Sequence, residues 1–328
     1  MPAAGPIPGP LALLRYGSGM RNRPRVTVLG SLNMDISVTV PRLPEPGATV
    51  LGSAARFTPG GKGANQAVAA ARLGASVHLA GCVGDDDFGR QLVAALRAEK
   101  VDTGGVRVTD GAPTGLAMIS VDPAGENIIT VAPGANHEAS APEVRAALAQ
   151  PQNVLIVSAE IRTEVLVAAL ARHSVSILNL APAPADAAAV VAGARPDWLV
   201  VNETEAGAVL GRQVSGLAEA ARAAQDLIEA GARHAVVTAG AHGAALADGP
   251  GPAETVQAFR VEAVDTVGAG DTFVGALAVT LAAGVPPAEA VRAAAAAGAT
   301  AATRAGAQAG MPRPEDIREV TGLTWPVH

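Results

Sequence analysis

An internal disulfide bond and a cysteine-based zinc site are excluded at once, because the chain holds a single cysteine, Cys82, and both need more than one. Cys82 lies in the apolar stretch 77–83, where a free thiol packs as a small hydrophobe. A reducing, cytoplasmic setting fits. The six histidines include no HxxxH pair. Aromatic residues are scarce, with two Trp, one Tyr and four Phe, too few to stack the bases of a nucleic acid. Charged residues make up 16% of the chain, and 24 Lys and Arg against 30 Asp and Glu leave a net charge of −6. No basic field therefore exists for nucleic acid or an anionic membrane. The apolar run at 11–14 is far shorter than a membrane span of roughly 20 residues, and no basic segment precedes it as in a signal peptide.

What is present is small and apolar. Hydrophobic residues reach 49%, with 37 glycines and 24 prolines in 328 residues. The glycine and proline share stays below the roughly 25–30% that marks low complexity. The length suits either two domains or one large α/β fold, with a core that needs no disulfides. Residues 1–24 are expected to be a disordered or non-native extension, with Met20 as an alternative start. Residues 25–320 read as one domain and 321–328 as a tail. From residue 26 strands and helices alternate. Strands are expected at 26–30, 77–82, 154–158, 175–179, 198–201, 235–238 and 244–248. Helices are expected at 64–73, 88–99, 164–172, 203–210, 217–230, 272–283 and 288–303. Short apolar strands between helices predict a parallel sheet covered on both faces, an α/β/α three-layer sandwich. Segments 36–57 and 114–132 instead alternate polar and apolar residues around hairpin-like turns. They predict a small antiparallel β-lid.

Five motifs carry chemistry. Asp265-Thr266-Val267-Gly268-Ala269-Gly270-Asp271-Thr272-Phe273 opens a helix, and its small residues leave backbone N–H groups open to an anion at a helix N-terminus. Asp271 beside such a hole fits two readings: a simple helix cap, or a base that takes a hydroxyl proton while the amides neutralise a phosphoryl group in transfer. Gly60-Gly61-Lys62-Gly63-Ala64-Asn65-Gln66 is neither a Walker A loop nor GxGxxG. It is a glycine turn, or a tight helix start offering Lys62 and Asn65 to a polyhydroxylated ligand. Asn33-Met34-Asp35 follows the first strand, where parallel sheets bind ligands; its side chains suit sugar hydroxyls, or a turn. Asn202-Glu203-Thr204-Glu205 reads as a capping box or as an arrangement ordering water around a magnesium–phosphate group. Thr238-Ala239-Gly240-Ala241-His242-Gly243 is a small-residue link, or a passage over a nucleotide.

Together these residues resemble the ribokinase-like carbohydrate kinase family. The likeness runs from about Arg25 to Pro314. It also covers Gly74, Gly84, Asn179-Leu180-Ala181-Pro182-Ala183 and Thr303-Arg304-Ala305-Gly306-Ala307. The resemblance implies ATP-dependent phosphorylation of D-ribose at its 5-hydroxyl. In it Asp271 is the base and the amides of Gly268, Ala269 and Gly270 form the anion hole. Asn33, Asp35, Gly61, Lys62, Asn65 and Glu160 hold the sugar. Asn202 and Glu205 serve the ATP phosphates and Mg2+, and Thr238, Ala239, Gly240, Ala241, His242 and Gly243 line the nucleotide. An activating monovalent cation, usually K+, is implied at Asp265, Val267, Ala301, Arg304, Gly306 and Gly310, mostly through backbone oxygens. Gly310 stands where relatives commonly carry serine, and Ala295 where many carry a larger polar residue near the adenine.

Rival readings are a kinase of the same family acting on deoxyribose, fructose or pseudouridine, and a non-catalytic sugar sensor. A nucleoside would call for aromatic stacking that this chain lacks. A phosphorylated sugar would call for basic residues near the lid, where only Arg42 and Arg56 stand, with nothing in the sequence to aim them inward. The lid's apolar residues Ile36, Val38, Val40, Leu116 and Met118 are expected to be covered by the sugar and by a second subunit, giving a homodimer.

Overall fold

The computed structural model describes residues 23–149, 153–171, 175–249 and 251–327. The expected tail at 1–22 lies outside the described residues. Pro24, assigned above to the extension, is buried, and its carbonyl accepts a hydrogen bond from the Ser76 amide at 2.8 Å.

The main sheet uses β1 (Arg25–Leu29), β4 (Ser76–Gly84), β5 (Asp102–Thr109), β8 (Val154–Ser158) and β9 (Ser176–Asn179). It continues through β10 (Trp198–Asn202), β11 (His234–Thr238), β12 (Ala244–Ala247) and β13 (Glu254–Val256). Their order is β13-β12-β11-β10-β9-β8-β1-β4-β5. The strands from β5 to β11 pair in parallel. The link between β11 and β12 is too short for a helical crossover, so β12 turns back antiparallel, and β13 pairs antiparallel with β12.

One face of this sheet carries α1 (Lys62–Arg72), α2 (Asp87–Ala98), α8 (Ala269–Ala282), α9 (Pro287–Ala301) and α11 (Pro314–Thr321). The other carries α3 (Ala141–Ala149), α4 (Thr163–Leu170), α5 (Ala187–Ala194), α6 (Glu203–Leu210) and α7 (Gly216–Glu229). The two-residue period of a strand divides each strand between the two cores. On β8, Val154 and Ile156 join the first, and Leu155 and Val157 join the second. A short helix, α10 (Ala307–Gly310), packs beside α1. The last segment is packed as well, for Trp325 is buried and its indole N–H donates to the Leu73 carbonyl at 3.1 Å.

The lid is a separate sheet of β2 (Asn33–Thr39), β3 (Arg56–Gly60), β6 (Gly115–Val121) and β7 (Asn127–Ala132), ordered β3-β2-β6-β7. Its two outer pairings are antiparallel, and the central β2–β6 pairing is parallel because most of a crossover unit separates those strands in the chain. Phe57 of the lid stacks on Phe88 of α2, with ring centroids 5.9 Å apart.

From β1 the chain builds first toward β4 and β5, then returns to the other flank at β8. Such a reversal opens a crevice at the carboxyl ends of the flanking strands, here residues 30–35 and 158–160. Helices α1 and α8 meet over it at backbone distance: a Cβ on Gly275 would lie 2.8 Å from the Gln66 carbonyl oxygen. Gly275→Ala is expected to lower stability by about 1–3 kcal/mol through overpacking. Calorimetric unfolding checks this, and an unchanged melting temperature would show that the helices can slide apart freely.

Candidate active site

The start of the turn 265–270 is tied to the segment at Gly306 by one carboxylate. Asp265 accepts from the Val267 amide at 2.9 Å and from the Gly306 amide at 2.8 Å. Gly268 then adopts a left-handed conformation, φ 79°, and caps α8. Thr272 donates to the Gly268 carbonyl through both its amide and its hydroxyl, at 2.8 Å each. Of the three amides expected to form an anion hole, that of Ala269 already donates to the Thr266 carbonyl at 3.2 Å. Gly268 and Gly270 line a cleft of about 210 Å³ together with Lys62, Asn179, Asn202, Glu205, Thr238 and Asp271.

Asp271 lies in the first turn of α8 and is 7% exposed. It does not cap its own helix, because each carboxylate oxygen is taken up elsewhere. Oδ2 accepts from the Asn65 side chain at 2.9 Å and Oδ1 from the Gln66 side chain at 3.1 Å. Asn65 and Gln66 are neighbours on α1, so the α1–α8 contact fixes this carboxylate.

Across the crevice, Asp35 projects from β2 over the backbone of β3. A Cβ on Gly60 would fall on the Asp35 carboxyl, so a larger residue there would displace that carboxyl. Gly61, φ 87°, starts α1. Glu160 follows β8 and accepts from the Lys62 amide at 3.1 Å and from the Ser31 hydroxyl. It thereby puts a carboxylate at the N-terminus of α1. Asn33 is buried and accepts from the Asn136 side chain at 2.7 Å. Asn136 also brackets Leu32, donating to its carbonyl at 3.2 Å and accepting from its amide at 2.9 Å.

The electrostatics of these groups are mutual. Burial pushes Asp35 up to about 7, and Glu160 and Asp271 push the same way against the pull of Lys62. Burial acts to lower Lys62, but Asp271, Glu160, Glu205 and Asp35 outweigh it and hold the ammonium above its ordinary value. Glu205 is raised by burial and by Asp271, against its hydrogen bond from the Asn202 amide and the charge of Lys62. Asn202 and Glu205 form a full capping box on α6, with both bonds at 2.9 Å.

The fold thus brings Asn33, Asp35, Gly61, Lys62, Asn65, Glu160 and Asp271 to one crevice, with Asn202, Glu205 and Thr238 on its far side. Ala239 is buried, and Gly240, Ala241 and His242 are exposed on the turn beyond Thr238. The proposed cation residues form an adjacent loop pair. A Cβ on Gly310 would lie 3.1 Å from the Arg304 carbonyl oxygen and 3.2 Å from that of Ala301, so two carbonyls converge on space that glycine leaves open. The Arg304 side chain itself pairs with Asp316 at 2.7 Å. Sequence reasoning gave no role to Asn136, Gln308, Gln66 or Asn179. Gln66 and Asn179 sit inside motifs that could have flagged them. Asn136 lies 104 residues from Leu32, and Gln308 lies 243 from Asn65; neither has a local signal.

Residues 23–314 match the profile of the pfkB family carbohydrate kinases. A ribokinase from Haemophilus influenzae is 35% identical over 301 residues, 90% of this chain and 98% of that protein. The crystal structure of ribokinase from Thermotoga maritima superposes with a TM-score of 0.81 at 32% identity, covering 91% of this chain and 99% of that one. Arabidopsis thaliana ribokinase complexed with ribose and ATP gives 0.78 at 27% identity, covering 92% and 100%.

The raised Asp35 has a thermodynamic consequence. Between the ordinary value of 3.8 and about 7 the folded chain holds a proton that the unfolded chain releases. This group's contribution to stability is therefore lost as pH rises through that window. Asp35→Asn is expected to raise the melting temperature at pH 8, with the gain vanishing toward pH 4. Equal gains at both pH values would place the effect outside ionisation.

Proposed function

The chain belongs to the pfkB family of carbohydrate kinases, and on that premise we propose that it transfers the γ-phosphoryl group of ATP to the 5-hydroxyl of D-ribose. The observation that carries this reading is the placement of a buried carboxylate, Asp271, in the first turn of α8, in one cleft with Gly268, Gly270 and Lys62. The relatives named ribokinase, and the one bound to ribose and ATP, support the sugar and the donor.

In this mechanism Asp35, Glu160, Asn33, Asn65 and Lys62 meet the ring hydroxyls. Carboxylates accept from hydroxyls, while the amide and ammonium groups donate. The primary hydroxyl is directed at Asp271, which takes its proton as the oxygen attacks. The open N–H groups at the start of α8, with the helix dipole behind them, stabilise the negative charge on the phosphoryl oxygens. Lys62 adds a positive charge on the same side. Positioning and charge stabilisation supply most of the rate.

Among the described residues no cluster of three or more His, Cys, Asp and Glu is arranged to hold a metal ion. Mg2+ keeps most of its water and binds mainly through substrate phosphates, and Glu205 and Asn202 would stand beside it. Magnesium, when bound, neutralises phosphate charge. A monovalent cation fits the carbonyl cradle at Ala301, Arg304 and Gly310 next to the Asp265 carboxylate, with Val267 and Gly306 completing the set. No helix among the described residues is long and apolar enough to cross a membrane, and the buried free thiol of Cys82 accords with a cytoplasmic setting.

The lid's Phe57, Ile36 and Met118 form a cross-strand row, with Phe57 54% and Met118 46% exposed. Ile129 and Val131 are exposed on the opposite face. Apolar surface on so small a sheet is best covered by a second lid, which supports a homodimer. Light scattering at micromolar concentration is expected to give twice the chain mass, and a monomeric mass would refute it.

The decisive experiment is ATP turnover over a sugar panel, in potassium and in sodium. Ribose is expected to be the preferred acceptor, faster in potassium. Asp271→Asn is expected to lose about 10²–10⁴ in kcat or more while still binding ribose by calorimetry. Normal turnover in that variant would sink the mechanism; preference for deoxyribose, fructose or pseudouridine would move the specificity.

A further inference from the structure

We propose that Gln66 is a positioning residue for the Asp271 carboxylate, and that Asn179 holds it in its working orientation. The proposal rests on Asp271 being the base. Gln66 is completely buried and does not line the cleft, so it acts on the reaction only through a neighbour.

Its Nε2 donates to Oδ1 of Asp271 at 3.1 Å and to Oδ1 of Asn179 at 2.9 Å. Its own carbonyl oxygen, Oε1, is buried without a partner among the described residues. A buried carbonyl left without a donor costs free energy, and an apolar side chain of similar size would avoid that cost. The amide therefore has value at this position for its two N–H groups.

The orientation of the amide is also determined. Turning it over would set Oε1 against two acceptor oxygens and leave both N–H groups unpaired. Asn179 cannot turn over to accommodate it, because its Nδ2 donates to the Val200 carbonyl of β10 at 3.2 Å. That bond points Oδ1 of Asn179 at Gln66. A chain of oriented amides thus runs from the backbone of the central sheet, through Asn179 and Gln66, to one oxygen of the base. The other oxygen is met by Asn65, whose own Oδ1 accepts from Gln308 at 3.1 Å. With a donor on each oxygen, the carboxylate plane is fixed relative to the sugar. A misplacement of roughly 1 Å at a reacting group can cost about 10²-fold in rate.

The test compares Gln66→Met, Asn179→Ser and the double variant with wild type, using whichever sugar wild type turns over best. Gln66→Met keeps the volume and removes both donors. It is expected to lower kcat by about 10–100-fold with KM for sugar and for ATP within about threefold of wild type. Asn179→Ser is expected to lower kcat less. Asn179 also lines the cleft, so the double variant separates the two routes: it should be no slower than Gln66→Met when Asn179 acts on the base through Gln66 alone. An unchanged kcat in Gln66→Met, a loss carried by KM, or losses that multiply in the double variant would each overturn the proposal. If Gln66→Met does not fold by circular dichroism, Asn179→Ser alone decides it, and an unchanged kcat there overturns the relay. Turnover retained by Asp271→Asn would overturn the base assignment and the relay together. A dead Asp271→Asn beside an unaffected Gln66→Met would overturn the relay alone.

Discussion

Lys62 faces four carboxylates, those of Asp271, Glu160, Glu205 and Asp35, and the crevice is organised around that imbalance. At an effective dielectric constant near 20, two unit charges 4 Å apart interact by about 4 kcal/mol, so one ammonium cannot offset all four. Burial is the first cause of the raised Asp35, pushed up to about 7, and of the raised Glu205, and the excess of negative charge adds to both. The excess appears also in Lys62, which keeps its charge firmly although it begins a helix, where the dipole disfavours a cation. A site in this state is completed by ligands that donate hydrogen bonds to carboxylates on one side and bring a cation with their own negative charge on the other. A polyhydroxylated sugar and a magnesium-bound nucleotide are ligands of those two kinds.

The charges can crowd together because backbone takes up little room at a few points. Gly60 yields its side-chain space to the Asp35 carboxyl, and Gly275 lets α8 rest on the Gln66 carbonyl. Both contacts bring a carboxylate within reach of α1, which starts inside the crevice and supplies Lys62, Asn65 and Gln66. The switch in strand order beside β1 sets the location, and the glycines set the distances. A larger residue at either position would leave the sheet intact and spread the site.

The sequence is legible where chemistry is concentrated on consecutive residues. The turn at 265–273 and the turn at 60–66 each carry their functional groups within a few positions, and the structure places both at the crevice. Strand β8 and helix α6 were readable to the residue, because a wholly apolar strand and a capping box are local signals. Helix α1 begins at Lys62 and not at Ala64, since Gly61 supplies the left-handed start that lets Lys62 and Gly63 join the first turn. Elements without periodicity escaped. The helix α5 is made entirely of Ala, Val and Gly, β5 is an edge strand rich in glycine and polar residues, and α3 and α11 are short. Asn136 and Gln308 escaped for a different reason: their partners lie far away in sequence, and only the fold brings them together.

The lid register adds a constraint on specificity. Arg56 pairs with Ser37, two residues beyond Asp35 on the same strand, so it stands on the face that carries Asp35. Nothing in the sequence aims it there; the pairing of β2 with β3 does. Arg56 is nevertheless exposed, and an exposed ion pair is worth only about 0–1 kcal/mol. A phosphorylated sugar would need stronger neutralisation, and Lys62, the half-buried cation of the crevice, already stands under the charge of four carboxylates. Asp35 and Glu160 give this side of the crevice a negative charge, and Arg56 is too solvated to offset it.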